Sequence, residues 1–317
     1  MALHTLIATE RTELYPALAR ENLLLNAGEL RAPVLYLWRG PRAVVMGKNQ
    51  NPWRECNLAF LKERGLALAR RVSGGGAVYH DPGNLNVSWI LPREMYRTER
   101  LHRVLIRALA DCGLEVEAGG SGALRAGTYK VSGSAYCYRK NLVLHHGTLL
   151  VDADLSLLRA SLSPPHIRLK THAVESVPAR TGNLVDLVPG LTRAEVERAL
   201  VREAEREFGS SEPLPEAVLS ADGVAEEAER LRSADWLWGQ TPRFRAELEV
   251  AGRGVLSFMV WKGRMREPRW NGESIEEEAE GLPFPEGEFG AIEREAGLPS
   301  GAVREAFEAS GWVLEGV

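Results

Sequence analysis

The stretch RRVSGGGAVYHDPGN, Arg70 to Asn84, sets three consecutive glycines between two strand-like runs. Residues without a Cβ open backbone angles closed to other residues and let N–H groups approach a ligand closely. Successive N–H groups of this kind cradle an anion. Arg71 stands at the edge of the loop, where a guanidinium grips a phosphate or a carboxylate. No GK[ST] follows the glycines, and the flanks read strand–loop–strand rather than strand–loop–helix. Both the P-loop and the Rossmann fingerprint are therefore excluded.

Upstream, VLYLW and AVVMG are two short β-branched runs around Gly40–Pro41, which predicts a hairpin. Tyr15 to Leu25 has helical apolar spacing. Downstream, Asn84 to Ile90 alternates polar and apolar residues, the pattern of a half-buried strand. Leu101, Val104, Leu105, Ala108, Leu109 and Cys112 form one helical face. Tyr136 to Val151 reads as two strands with the bend near Arg139–Lys140–Asn141. Ser163 to Pro189 lacks periodicity, as binding loops and lids do. Thr192 and Glu195 make a capping box that starts the next helix. Residues 209–223 are rich in Pro, Ser and Gly, which predicts a linker. The expected organisation is a first domain over 1–210, a linker over 211–224 and a second domain over 225–317. The last contains a strand pair, Phe244 to Val250 and Val255 to Trp261. The expected fold class is α+β, a mixed α/β first domain on a central mixed sheet followed by a small α+β domain.

Two further motifs carry chemistry. In YKVSGSAY, Tyr129 to Tyr136, Lys130 lies beside small residues in a strand-like run. A lysine there is either a positioned cation or a solvated edge residue. In HHGTLLVD, His145 to Asp152, Gly147 and Thr148 offer backbone and hydroxyl to a small ligand. The adjacent histidines point to opposite faces of a strand, so they do not share one metal ion.

The composition narrows the class. The 317 residues carry 39 Lys and Arg against 43 Asp and Glu, a net charge of -4, which argues against a nucleic-acid partner. Cys56, Cys112 and Cys137 form neither a CxxC nor an even set, so a disulfide framework and a zinc ribbon are not expected. No run is long enough to span a bilayer, and the start lacks a signal-peptide pattern. A cytoplasmic protein without a membrane partner is expected.

Taken together, VLYLWRG, GKNQNPWRECN, LARRVSGGGAVYHD, KVSGSAY, HHGTLL and VPGLT resemble the biotin and lipoate ligase superfamily, specifically the lipoate–protein ligase A family. DWLWGQTPRF is similar to the start of that family's accessory domain, so the resemblance spans nearly the whole chain. It implies a biotin–lipoate ligase-like fold, with 1–210 as the lipoate- and ATP-binding catalytic domain and 225–317 as the accessory domain, and an ATP-dependent ligase. Such an enzyme activates lipoate to lipoyl-AMP with release of pyrophosphate, then passes the lipoyl group to a lysine of a carrier domain. ATP and Mg²⁺ are the implied co-substrates, with no tightly bound prosthetic group. The implied partners are lipoyl domains of 2-oxoacid dehydrogenase E2 subunits and the glycine-cleavage H protein. Lys130 would be the catalytic cation. Lipoate contacts would fall to Arg71, Ser73, Gly74, Gly75, Lys130, His146 and Gly147. Nucleotide contacts would fall to Arg71, Gly76, Ala77, Val78, Tyr79, Lys130, Arg180 and Asn183, with Lys170 to Leu184 as the closing loop and Asp152 as the candidate metal ligand. Trp38, Val44, Val78 and Val87 are candidate walls for an apolar acyl channel.

The chain departs from the family at two places. The first helix reads NLLLNA, Asn22 to Ala27, where an Asn and an acidic pair are usual, and Lys48 stands where Arg is frequent. The alternative reading is an ATP-independent octanoyl or lipoyl transferase that uses a cysteine acyl-enzyme. Cys137 is the one cysteine close to the motifs, and no neighbouring base that would activate it is legible.

Overall fold

The computed structural model describes residues 3–8, 12–28, 30–275, 281–284, 288–310 and 312. Its central sheet runs β12 (Ser211–Pro213), β1 (Leu3–Ile7), β2 (Val34–Trp38), β6 (Asn84–Pro92), β10 (Leu142–Leu150), β9 (Tyr129–Arg139), β8 (Ala123–Ala126) and β7 (Glu117–Ala118). The strand β1 is parallel to both neighbours, and the remaining pairs are antiparallel. A smaller sheet holds β4 (Ala67–Arg70), β3 (Ala43–Met46) and β5 (Val78–His80). A third runs β11 (Leu169–Thr171), β13 (Phe244–Val250), β14 (Gly254–Trp261), β15 (Arg264–Trp270) and β16 (Glu273–Ser274).

The period-2 geometry of strands explains how the layers stack. In β2, Leu35 and Leu37 face a core shared with the helices Thr98–Asp111 and Arg193–Phe208. Val34, Tyr36 and Trp38 face a second core with the helix Leu14–Asn26. In β3, Ala43 and Val45 turn to that second core, while Val44 and Met46 turn to a third, made with the C-terminal sheet. Both runs are buried at every position because each face has a neighbour.

That arrangement corrects the hairpin reading. The strands β2 and β3 belong to different sheets, and Gly40–Pro41 carries the chain between layers rather than folding it back. The strand β6 is likewise not half-buried. All nine residues are buried, and its polar set Asn84, Asn86 and Ser88 faces the protein interior. The stretch 211–224 is not free chain either. Residues Ser211–Pro213 pair with β1, and the helix Ala221–Arg232 buries Val224, Ala228 and Leu231 in the core under the helix Leu14–Asn26. Polar composition there reflects short elements at the sheet edge, not a flexible tether.

The β9–β10 pair turns at Lys140, as expected, with φ at 49°. Thr192 and Glu195 form the expected reciprocal cap. The C-terminal sheet is held to the N-terminal layers by aromatic packing. Trp53 stacks on Trp238 with ring centroids 5.3 Å apart and also meets Phe244, Phe284 and Trp312. Arg70 is fully buried beside them. It donates to the Lys48 and Gln50 carbonyls, each at 2.9 Å, and to the Leu237 carbonyl and the Thr241 hydroxyl.

Candidate active site

Two adjoining cavities open between the central sheet and the glycine loop. The first, of about 270 Å³, is lined by Leu18, Trp38, Val45 and Val78 on its apolar side and by Glu21, His80, Asn86 and His146 on its polar side. The second, of about 500 Å³, reaches from Tyr79 and Leu150 to Arg54 and Arg159. Lys130, Gly133, Ala77, Val78 and the segment 175–177 belong to both. Two mixed apolar and polar cavities that share the wall at Lys130, one about half the volume of the other, suit an acyl group and a larger co-substrate meeting at Lys130.

The glycine loop is held from behind by Arg71. Its Nε donates to Ser73 Oγ at 2.9 Å, one terminal nitrogen to the Val45 carbonyl, and the other to the Gly74 and Gly76 carbonyls at 2.6 and 2.7 Å. Four hydrogen bonds thus come from one buried side chain, three of them to the loop, and Arg71 acts first as a brace. Burial pushes its pKa down to about 10 against the attraction of Glu21, so it keeps its charge at neutral pH. Gly75 takes φ at 83°, a conformation that disfavours other residues. Its carbonyl would lie 2.2 Å from a Cβ added at Gly47, and backbone atoms cannot yield there. Gly47→Ala is therefore expected to displace the loop at a cost of about 1–3 kcal/mol. Thermal unfolding and nucleotide binding check this; an unchanged melting temperature with wild-type binding would contradict it.

Ser73 is tied to a buried relay. Its hydroxyl meets His146 Nε2 at 2.6 Å, and His146 Nδ1 meets Glu21 Oε2 at 2.8 Å. Glu21 also accepts from Trp38 Nε1 at 3.2 Å and from the Ser88 hydroxyl. Burial alone would raise the Glu21 pKa. The attraction of His146 and the hydrogen bonds from His146, Ser88 and Trp38 together outweigh it and hold the carboxyl below its ordinary value. The reading that the first helix lacks its acid is thereby corrected: Glu21 directly precedes the window Asn22 to Ala27. It falls on the buried stripe with Ala17, Leu18, Leu24 and Leu25, and an acid in register with an apolar helical stripe is the signal that finds it. His145 takes the opposite face, bonds Tyr96 at 3.0 Å, and burial pushes its pKa down to about 3.

Lys130 is positioned by backbone. Its N–H donates to the Arg180 carbonyl at 2.7 Å, and its carbonyl accepts from Gly182 N–H at 3.2 Å. The irregular segment thus adds one strand-like bridge beside β9 and fixes where the lysine emerges. No carboxylate pairs with the ammonium among the described residues. Burial, and then the charge of Arg125, lower its pKa.

The remaining expected residues fall in two groups. Gly75, Gly76, Ala77, Val78, His146 and Gly147 line the first cavity, and Tyr79 lines the second. Ser73 and Gly74 are in the loop but line neither cavity; both are held by Arg71, and Ser73 also by His146. Asn183 and Arg180 line neither cavity. The Asn183 amide both donates to and accepts from the Ala153 backbone at 2.9 Å, and the Arg180 guanidinium stacks 4.4 Å above the Tyr129 ring. Lys170 is exposed on β11. Asp152 is exposed outside both cavities, and no group of three or more metal-binding side chains occurs among the described residues. Trp38 and Val78 are cavity walls as expected. Val44 and Val87 are not walls of the first cavity, because their strands turn them into the cores. Cys137 lies outside both cavities, seven residues along β9 from Lys130, roughly 23 Å away at strand rise.

Several residues at the site were not anticipated. Ser176 accepts from the Ala77 N–H at 2.9 Å and from Gln50 Nε2 at 3.1 Å. Glu55 accepts from Gln50 Nε2 and from the Ser176 N–H, at 2.9 and 3.0 Å. The motif GKNQNPWRECN thus supplies a platform on which the segment 173–176 docks against the glycine loop.

Two adjoining cavities beside a braced glycine loop, with a lysine that pairs with no carboxylate among the described residues on their common wall, fit an enzyme that joins an acyl group to a second substrate. The profile of the lipoyl protein ligase A/B catalytic domain matches residues 13–205. The chain is 36% identical over 240 residues to the lipoate-protein ligase A of Bdellovibrio bacteriovorus, covering 73% of this chain and 71% of that one. It is 33% identical to that of Psychrobacter cryohalolentis, covering 74% and 71%. Among solved structures, P. falciparum LipL1 in complex with lipoate aligns over 86% of this chain and 85% of its own with a TM-score of 0.66 and 27% identity. A lipoate-protein ligase A bound with ATP aligns over 76% of this chain and 100% of its own, with a TM-score of 0.64 and 26% identity. The chain belongs to the lipoyl protein ligase A/B catalytic-domain family.

Proposed function

We propose that this chain is an ATP-dependent lipoate–protein ligase in which the first cavity takes the lipoyl tail and the second takes the nucleotide. The placement of Lys130 on the wall common to both cavities carries this reading. In the first half-reaction the lipoate carboxylate attacks the α-phosphorus of ATP, and pyrophosphate leaves. Both reactants are anionic, so the site must offset their repulsion while holding them in line. Lys130 and the N–H groups at Gly76 to Tyr79 supply that field, and Mg²⁺ enters with the phosphates of its nucleotide. In the second half-reaction the ε-amine of a carrier lysine attacks the acyl carbon, AMP leaves, and the amine proton passes to solvent. Lys130 then stabilises the charge growing on the acyl oxygen.

The carrier is a lipoyl domain, with E2 subunits and the glycine-cleavage H protein as the proposed acceptors. A structure from Thermoplasma acidophilum pairs a bipartite lipoate protein ligase with its E2 lipoyl domain and aligns over 76% of this chain at 25% identity, which supports the first of these. The sheet β13–β16 with its helices is the accessory unit. Cys137 lines neither cavity, which favours the ligase over a cysteine acyl-enzyme. No helix among the described residues is long and apolar enough to cross a membrane. Pyrophosphate release from ATP, measured with and without lipoate and with no carrier present, tests the assignment. Release that depends on lipoate is expected; none at saturating ATP and Mg²⁺ would overturn it.

A further inference from the structure

We propose that Arg54, with the Ala77 N–H, forms the subsite for the leaving pyrophosphate, and that Glu175 and Ser176 fill this subsite until ATP displaces them. The proposal rests on the ligase reading above and deepens it. Arg54 lies on the short helix Pro52–Glu55 and lines the larger cavity. Its guanidinium meets Glu175 Oε1 at 3.0 Å through one terminal nitrogen and the Ala173 carbonyl at 2.6 Å through the other. Its Nε is buried with no hydrogen-bond partner. Every group it holds therefore comes from the segment 173–175, apart from Glu55, 3.7 Å from Nε.

The next residue does the same to the glycine loop. Ser176 Oγ accepts from the Ala77 N–H at 2.9 Å, so an oxygen sits where an anion-cradling N–H points. Two consecutive residues thus put a carboxylate on the guanidinium and a hydroxyl oxygen on the backbone donor. A polyphosphate chain presents oxygens in the same succession, and a planar guanidinium binds phosphate by the geometry it uses for carboxylate. Glu175 is 74% exposed and leaves its partner without losing buried packing. Arg54 and Lys130 then face the cavity together, one toward the leaving phosphates and one toward the α-phosphorus.

The test uses the full chain, with α,β-methylene ATP, inorganic pyrophosphate and AMP as separate probes in binding titrations. Arg54→Gln is expected to weaken the ATP analogue and pyrophosphate by about tenfold or more and to leave AMP within about twofold, since a lost charge-assisted contact acts only where the charge binds. Glu175→Gln removes the competing carboxylate and is expected to tighten both phosphate ligands by roughly three- to tenfold. This exposed change carries no folding risk, and it moves affinity in the direction opposite to a merely structural loss. Wild-type pyrophosphate affinity in Arg54→Gln, or weaker ATP-analogue binding in Glu175→Gln, would overturn the subsite. Lipoate-dependent pyrophosphate release by the unmodified enzyme, alongside either result, would leave the ligase reading intact.

Discussion

Lys130→Ala is expected to lower lipoate-dependent pyrophosphate release and carrier lipoylation by roughly 10²–10³-fold, the loss typical of one preorganised donor aimed at developing charge. The size follows from its setting. The ammonium lies on the wall of both cavities, close over Gly133, with no carboxylate paired to it among the described residues. Burial has already weakened its hydration, so its field acts on the reacting groups at low dielectric. The same burial sets a pH signature. A lysine whose pKa is lowered loses its proton as pH rises through that value, and the rate should fall with it. Lys130→Arg keeps a cation that does not deprotonate in this range, so its lower rate should lack that alkaline limb. Near-wild-type turnover by Lys130→Ala would remove the lysine from the chemistry.

The second large effect concerns stability and the acyl cavity together. Glu21→Ala strips the acceptor from His146 Nδ1, Trp38 Nε1 and the Ser88 hydroxyl at once, all of them on buried residues. Breaking a buried charged network on one side costs about 3–5 kcal/mol. For a chain of this size that corresponds to a fall of roughly 10 °C in melting temperature. Through His146 and Ser73 the change also reaches the brace of the glycine loop, so KM for lipoate should rise more than KM for ATP. Glu21→Gln keeps an acceptor and should recover part of both. The sign of the acid response is set by the depressed carboxyl pKa in the folded state. The contribution of Glu21 is complete above the ordinary carboxylate pKa and is lost as pH falls through the lower folded value. Acid unfolding of Glu21→Gln should therefore depend less steeply on pH than that of the unmodified chain. Equal slopes would show that the carboxylate contributes no such linkage.

Much of the site was legible because its parts are local. Three glycines in succession can be tolerated only where a loop needs them, and Arg71, Lys130 and His146 stand in motifs that are contiguous along the chain. The cap at Thr192 and the bend at Lys140 were also readable, since each depends on neighbours a few residues away. The roles inside those motifs were less so. Arg70 and Arg71 are adjacent and chemically alike, yet one joins the C-terminal unit and the other braces the loop.

The residues themselves therefore determined the strand–loop–strand core, the cation beside it and the family to which the chain belongs, because backbone freedom and charge are properties of a residue and its near neighbours. Only the tertiary structure decided that VLYLW and AVVM enter different sheets, that Ser211–Pro213 closes the edge of the first of them, and that Glu21 reaches His146 across 125 positions of sequence. It also decided that Ser176 meets Ala77 from 99 positions away. Pairing partners and buried acid–base contacts are set by which faces come together once apolar surface is buried, and local periodicity records that a face is buried without recording what buries it.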